Sequence, residues 1–162
     1  MIRTIRNLDD DRPSVGSTLK IGHDGLIPVC KPRSDGKPLF SFDSNSLEVP
    51  FLRFGEGAPI SRHLEPVLES NALYSRLRTV YENSMAGALR IRARDGAGVA
   101  WLPYSLVVPD LEFGLLMRTG DPAWEVKLEI RLHRNKEHTN HLTRSIWSFL
   151  AVRESVPLTV RT

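Results

Sequence analysis

The chain has 162 residues, of which 41% are apolar and 25% are charged, so it is long enough for one globular domain or two small lobes and is not a low-complexity chain. No apolar run has the length of a membrane span, and the polar first residues lack the apolar segment of a secretory signal. The single cysteine, Cys30, excludes an internal disulfide and favours the cytoplasm, and the net charge of +3 allows anionic partners without requiring nucleic acid.

The first part of the chain shows few patterns of regular structure. Residues 1–17 are polar, with an acidic run, and predict a loose leader. A short apolar strand follows at Leu26–Cys30 and ends at Pro32. Pro28 within it predicts an edge, a bulge or a point where the strand leaves a sheet, because proline has no N–H to donate. A turn-rich loop comes next.

The middle of the chain alternates between strands and helices. The predicted strands are Glu48–Phe54, Arg76–Glu82, Val99–Leu102 and a short one near Met117. The predicted helices follow the first, second and third of these strands. Pro66 should kink the first helix or shift its start, and Pro109 should end the third. This alternation favours an α/β fold with a mostly parallel sheet and right-handed crossovers.

The end of the chain carries two strong periodic patterns. Apolar side chains from Trp124 to Leu132 occupy every second position, which predicts a long, half-exposed strand. Leu142, Ile146, Phe149 and Leu150 then follow helical spacing and predict an amphipathic terminal helix.

The stretch "RDGAGVAWLP" raises the possibility of a nucleotide-binding loop. A dinucleotide fingerprint requires a strand, then glycines, then a helix, because the helix N-terminus must face the pyrophosphate. Here the helix that begins near Asn83 precedes Gly96 and Gly98, and the strand follows them. We therefore predict a glycine turn into a buried strand and no nucleotide site.

No residue pattern supports an enzyme, a metal site or a cofactor. His138 and His141 lack a completing ligand set, and Cys30 between apolar residues is typical of a buried structural thiol. Arg90, Arg92 and Arg94 do not form one stripe, because Arg92 points away from the other two at helical spacing. We expect these arginines to be solvated.

The helix near Ser84 is the better candidate for function. Its N-terminus follows the carboxyl end of the Arg76–Glu82 strand, where ligands bind in open α/β sheets and helix N-termini attract anions. Gly55 and Gly57 open another helix in the same way after Glu48–Phe54. The alternative, left open, is that Asn83 or Ser84 only caps its helix.

Several segments in this order resemble the effector-binding domain of LysR-type transcriptional regulators, nearest to the hypochlorite-responsive subgroup. They are "DGLIPVCKPRSDGKPLF", "VPFLRFGEG", "NSMAGALRIRARDGAGVAWLPYSLV", "PAWEVKLEIRLHR" and "IWSFL", within residues 18–150. The family's winged helix-turn-helix and linker helix have no counterpart in these residues, so the chain resembles the C-terminal part of a regulator. We expect no sequence-specific DNA binding by this chain alone.

The resemblance implies an α/β fold like type 2 periplasmic binding proteins, with one complete Rossmann-like lobe and an incomplete second lobe. Residues 47–118 would form the complete lobe. Residues 18–46 and 119–155 would supply the incomplete lobe, the crossing strands "LIPVC" and "VKLEIRLHR", and the C-terminal helix. Residues 1–17 would be a leader and 156–162 a tail.

The resemblance also implies a cytoplasmic regulatory domain that binds a small-molecule effector in the inter-lobe cleft and forms homo-oligomers or pairs with another regulator. The alternative is a truncated interaction protein that pairs with intact regulators without ligand or DNA. Met85 would lie where the subgroup has a methionine implicated in oxidant sensing, unless it merely fills the core. The expected ligand-binding residues are Gly55, Ser84, Met85, Ala100, Leu102 and Pro103.

Overall fold

The structure is a computed structural model that describes residues 5–6, 16–42, 48–135 and 140–154. The leader (except Ile5–Arg6 and residues 16–17), the tail and His138 therefore lie outside the described residues. In chain order the strands are β1 (Ile5–Arg6), β2 (Gly16–Cys30), β3 (Val49–Phe54), β4 (Leu77–Asn83), β5 (Ala100–Pro103), β6 (Met117–Arg118) and β7 (Val126–Asn135). The α-helices are α1 (Ser61–Ser70), α2 (Ala86–Arg94), α3 (Tyr104–Glu112) and α4 (His141–Glu154).

The chain forms two compact units. Unit 1 comprises Met1–His23 and Leu128–Thr162, and unit 2 comprises Asp24–Lys127. The long strands β2 and β7 each run from one unit into the other. No helix within the described residues has the length and apolar character needed to cross a membrane. The lobe boundaries expected at 47–118 and in the flanks stay a prediction.

Unit 2 contains the α/β core. Strands β3 and β4 pair in parallel, and a parallel bridge joins Phe51 to Val99 just before β5. The last residues of β2 pair with β5 and β6 in antiparallel fashion. The expectation of a mostly parallel sheet is therefore wrong for the described strands, because β2 enters this sheet in the opposite direction.

The core of unit 2 is built around fully buried side chains from its central strands. Trp101 packs edge-on against Phe42 and Phe51, with ring centroids 6.0 and 5.8 Å away, and its Nε1 donates to the carbonyl of Trp124 at 3.0 Å. Cys30 is also fully buried, and burial raises the pKa of its thiol, as expected for a structural cysteine.

Two prolines lie inside α-helices, one where the sequence predicts a kink or a shifted start and one where it predicts an end. Pro66 and Pro109 are each the sixth residue of a helix, α1 and α3. α3 continues for three residues after Pro109, so the end predicted there is wrong, whereas the kink or shifted start predicted from Pro66 stays a prediction. The carbonyls that lose a hydrogen bond belong to Arg62 and Ser105, which are exposed residues.

Pro28 lies where β2 has β5 on one side and β6 on the other, so the predicted edge position is wrong, and the two other predicted roles, a bulge or a point where the strand leaves a sheet, stay predictions. It is opposite Trp101, and its carbonyl accepts from the N–H of Thr119 at 3.0 Å. On that side of β2 the neighbouring strand β6 ends, so the hydrogen bonds between the two strands also end there. The missing N–H of Pro28 therefore interrupts no pairing within β6.

In unit 1, β7 lies between β1 and the first part of β2. Ile5 and Arg6 pair with Ile130 and Glu129, so these two residues belong to a sheet and not to a loose leader. Strand β2 begins at Gly16, ten residues before the predicted apolar strand. The predicted strand and terminal helix at the end of the chain are confirmed as β7 and α4.

Candidate functional site

The candidate site lies in unit 2, at the edge where β3 and β4 both end. Phe54 and Asn83 are paired as the last residues of these parallel strands, and the N–H of Gly55 donates to the carbonyl of Asn83 at 3.1 Å. A β-carbon added at Gly55 would lie 2.7 Å from Ser84 Oγ. The absence of a side chain at Gly55 therefore lets the residues after the two strands meet.

The start of α2 differs from the prediction in one respect. The side-chain oxygen of Asn83 accepts from the N–H of Met85 at 2.9 Å, and Met85, with extended backbone, is the N-cap residue. Ser84 makes no capping bond, because the turn formed by Asn83 places the helix start one residue later. The alternative role of Ser84 as a cap is thus wrong.

Met85 projects from this edge. Its side chain is 69% exposed, so the prediction that it fills the core beneath the helix is wrong. Leu89 and Ala93 supply the buried face of α2 instead. The first turn of α2 has no acidic residue, so its N-terminal N–H groups keep their partial positive charge. An exposed thioether and a hydroxyl thus lie beside a helix N-terminus.

The other three expected ligand contacts are placed differently. Ala100 and Leu102 are fully buried side chains of β5, paired with Val29 and Ile27 of β2. Pro103 is half-buried and ends β5, at the edge that also receives the ends of β3 and β4. Of the six predicted residues, the structure brings Gly55, Ser84 and Met85 together, and Pro103 shares their edge of the sheet.

Sequence reasoning missed a carboxylate at the start of α3. Asp24 Oδ1 accepts from the Ser105 N–H at 3.1 Å, and Oδ2 accepts from the Ser105 hydroxyl at 2.6 Å. This bond supplies the cap and the negative charge that the N-terminus of α3 lacks locally. The sequence near Ser105 gives no sign of this contact, because Asp24 lies on β2, 81 residues earlier in the chain. Next to Gly25, Asp24 itself resembles a residue of a turn.

A buried ion pair between α2 and α3 was also missed. Asp110 is fully buried and forms a bidentate pair with Arg90, with one bond of 3.0 Å, while Arg94 Nε lies 3.7 Å away. The hydrogen bond to Asp110 raises the pKa of Arg90. Arg90 and Arg94 share a helix face, as predicted, but the expectation that they are only solvated is wrong.

Comparison with known proteins places this geometry in a family. Residues 6–153 match the family described as the LysR substrate binding domain. The chain is 25% identical over 131 residues to the HTH domain-truncated transcriptional regulator QseD of Escherichia coli O157:H7, which covers 81% of the chain and 53% of that protein. It is 24% identical to the HTH-type transcriptional regulator YjiE of Escherichia coli K12, over 81% of the chain and 42% of that protein.

Solved structures show the same fold. The apo regulatory domain of HypT from Salmonella typhimurium superposes with a TM-score of 0.79 at 18% identity, covering 93% of this chain and 70% of that one. DarR of Vibrio fischeri superposes with a TM-score of 0.74 at 23% identity, covering 90% and 48%. The expected α/β fold of the type 2 periplasmic-binding-protein kind is confirmed.

The chain spans about half the length of the curated relatives it matches, and those relatives are transcriptional regulators, not enzymes. The match extends through both compact units and includes the strand ends that bring Gly55, Ser84 and Met85 together. The chain belongs to the LysR substrate-binding domain family.

Proposed function

We propose that this regulatory domain binds a small-molecule effector at the edge formed by Gly55, Ser84, Met85 and Pro103. The observation that carries the proposal is the meeting of Gly55 and Ser84 beside the N-terminus of α2. The carboxyl ends of parallel strands are where open α/β sheets bind ligands, and an N-terminus without acidic residues favours a negatively charged or strongly polar group. Ala100 and Leu102 would support this edge from within the core.

The test uses bromide and a set of small carboxylates, benzoate and citrate among them, as probes. Bromide is included because one solved HypT regulatory domain is described as bromide-bound. We expect at least one probe to give saturable shifts in the amide resonances of Gly55, Ser84 and Met85. Ser84→Trp, which fills the edge, should abolish them, and Ser75→Trp at another exposed position should not. Saturable shifts that leave these three amides unchanged would contradict the proposal.

We also propose that Met85 reports oxidants to this site. The support is its exposure beside Ser84 and the resemblance to the hypochlorite-responsive subgroup; HypT itself is described as hypochlorite-specific. Oxidation would add a sulfoxide oxygen to the thioether and convert an apolar side chain into a polar one at the start of α2. Mass spectrometry after limiting hypochlorite should find Met85 oxidised before the half-buried Met117.

Exposure alone could make Met85 oxidise first, so the decisive measurement is functional. Oxidised protein should bind a probe of the Gly55–Ser84 edge with altered affinity, and Met85→Leu should remove that change. An unchanged affinity after oxidation, or the same change in Met85→Leu, would show that Met85 is exposed without being a sensor.

Oligomerisation is the last part of the proposal. Apolar side chains of α4 in unit 1 are exposed, with Leu142 at 66% and Phe149 at 59%. Exposed apolar faces of this kind favour association. We infer that the regulatory domain acts as an oligomer in the cytoplasm. Polar substitutions on the exposed face of α4 should therefore reduce the average mass of the protein in solution.

A further inference from the structure

We propose that a second site, which binds phosphate or a phosphate monoester, lies in a basic surface cavity of unit 2. The cavity has a volume of about 410 Å³ and is lined by Arg33, Lys37, Pro38, Ser41, Arg118, Thr119 and Gly120. It does not include the Gly55–Ser84 edge, so this proposal does not depend on the proposed function.

The charge of the lining points to an anion. Arg33, Lys37 and Arg118 contribute three cations, and no carboxylate lines this cavity within the described residues. The other surface cavities differ in this respect. The one beside Lys31 and Arg94 includes Asp95, and the one at the start of α1 includes Glu56 and Glu65. Two of these cations have a carboxylate partner outside the lining, Asp35 for Arg33 and Glu125 for Arg118, so the charge that a bound anion would chiefly compensate is that of Lys37.

The loop wall of the cavity is held in shape by its own backbone. The N–H of Arg33 donates to the carbonyl of Lys37 at 2.7 Å, and the N–H of Leu39 donates to the carbonyl of Lys31 at 2.9 Å. Gly36 makes the turn between them with φ of +77°. Asp35 accepts from the Lys37 N–H at 3.0 Å and lies 3.8 Å from the Arg33 guanidinium. Arg33 and Lys37, two of the three cations, therefore lie on a hairpin loop that is fixed by its own backbone hydrogen bonds.

The opposite wall follows β6. Thr119 donates its hydroxyl to the carbonyl of Phe40 at 2.7 Å, which ties this wall to the loop. The Arg118 guanidinium pairs with Glu125 and lies 5.3 Å from the ring centre of Tyr104. Because neither partner lines the cavity, these contacts orient Arg118 without closing the opening.

Two groups remain to bind a ligand. The Lys37 ammonium has no ion-pair partner among the residues that the structure describes, and the Gly120 N–H has no hydrogen-bond acceptor there. Together with the lining arginines, these two groups match a phosphate, which accepts a forked pair of bonds from an arginine, pairs with the charge of a lysine and accepts from a backbone N–H. Orientation of the side chains before binding lowers the entropic cost of holding the anion.

The experiment titrates inorganic phosphate into the full chain and follows the amide resonances of Lys37 and Gly120. Sodium chloride at matched ionic strength serves as the reference. Ribose 5-phosphate in a parallel titration distinguishes free phosphate from an ester. We expect saturable phosphate binding that is at least tenfold weaker in Lys37→Gln and in Arg118→Gln. Arg78→Gln, which removes an exposed arginine paired with Glu48 at 3.2 Å, should bind within twofold of the original protein.

Each outcome bears on the proposal. Tighter binding of ribose 5-phosphate assigns the site to phosphate esters, and equal binding assigns it to phosphate itself. If Arg118→Gln does not fold, Lys37→Gln decides, because Lys37 is exposed and contributes little to the core. Shifts no larger than those with chloride, or equal affinity in Lys37→Gln and Arg78→Gln, would overturn the proposal. Saturation at the Gly55–Ser84 edge instead would support the proposed function and still reject this second site.

Discussion

The two compact units differ in how far they bury their own apolar side chains. Unit 2 holds Trp101, Phe51 and almost every other large side chain that is fully buried. In unit 1, within the described residues, the buried apolar side chains are Leu19 and Leu128. Burial of apolar area is the main favourable contribution to folding, so among the described residues the larger contribution to stability comes from unit 2.

Helix α4 shows the difference most clearly. Its apolar residues Leu142, Ile146 and Phe149 follow helical spacing, yet their side chains are 66%, 48% and 59% exposed. By contrast, α2 has fewer apolar residues but buries Leu89 and Ala93. Periodicity therefore predicts which face of a helix is apolar, while the neighbouring elements decide whether that face is covered.

The largest effect is expected from the core of unit 2. Trp101→Ala removes a fully buried ring that contacts Phe42 and Phe51 and donates to the Trp124 carbonyl. We expect it to lower the free energy of unfolding by about 3–5 kcal/mol. Urea denaturation followed by circular dichroism measures the change. Leu142→Ala in α4 is the control, and a comparable loss there would erase the distinction between the units.

The ion pair between α2 and α3 should come next. Asp110→Asn keeps the side-chain shape but leaves Arg90 without its buried carboxylate. We expect a loss of about 1–3 kcal/mol, below the value for a fully buried pair because Arg90 remains partly solvated. Arg92→Gln, at an exposed ion pair with Asp95 on the same helix, is the matched control. Equal effects of the two substitutions in urea denaturation would show that burial of Asp110 adds nothing.

Sequence reasoning predicted the local elements of unit 2 well. The strands β3, β4 and β5 were placed within one residue at each end, because each has apolar residues bounded by turns. The end predicted for the third helix at Pro109 was wrong, because the cost of a proline inside a helix depends on whether the carbonyl that loses its hydrogen bond reaches water. That is a property of the packed structure and not of the local sequence.

Contacts between distant residues could not be predicted. Asp24 and Ser105 are 81 residues apart, and the sequence around one residue gives no indication of a contact with the other. The same holds for Arg90 and Asp110, although the shared face of Arg90 and Arg94 is a signal that a common acidic partner was possible. For the candidate site, strand order correctly indicated the edge near Ser84, but the burial of Ala100 and Leu102 required the pairing of β5 with β2.

A smaller effect on stability is expected when the exposed face of α4 is made polar. Ile146→Lys with Phe149→Lys should change the free energy of unfolding by no more than about 1 kcal/mol, because about half of each side chain is already exposed. The same pair should reduce self-association, measured as the average mass by light scattering over a wide concentration range. Ser148→Lys, an exposed position on the same helix, should leave the mass unchanged. If the unsubstituted protein is monomeric at every concentration, the proposal that α4 mediates self-association is contradicted.

The smallest effect concerns the charged face of unit 1. Hydrogen bonds from Lys20 and Arg131 lower the pKa of Glu129 from 4.5 to about 2. A carboxyl group with a lowered pKa stabilises the folded state above its unfolded pKa, and this contribution is lost as the pH falls from about 4.5 through 2. Over that interval the original protein should therefore lose more stability than Glu129→Gln, which has no charge to titrate. Hydrogen exchange of the β7 amides from Leu128 onward measures this loss, because these residues belong to unit 1 and report its stability separately from that of unit 2.

Two further variants separate this ion pair from a general effect of acid. Lys20→Gln removes the hydrogen bond that lowers the pKa of Glu129 most, so that pKa should rise. The acid-dependent loss of stability in β7 should then be smaller than in the original protein, as in Glu129→Gln. Lys127→Gln removes an exposed positive charge that is not part of this ion pair and should leave the loss unchanged. If Glu129→Gln and Lys127→Gln respond alike, acid acts on β7 through the net charge of the protein. In that case the ion pair between Lys20 of β2 and Glu129 of β7 does not make unit 1 more sensitive to acid than unit 2.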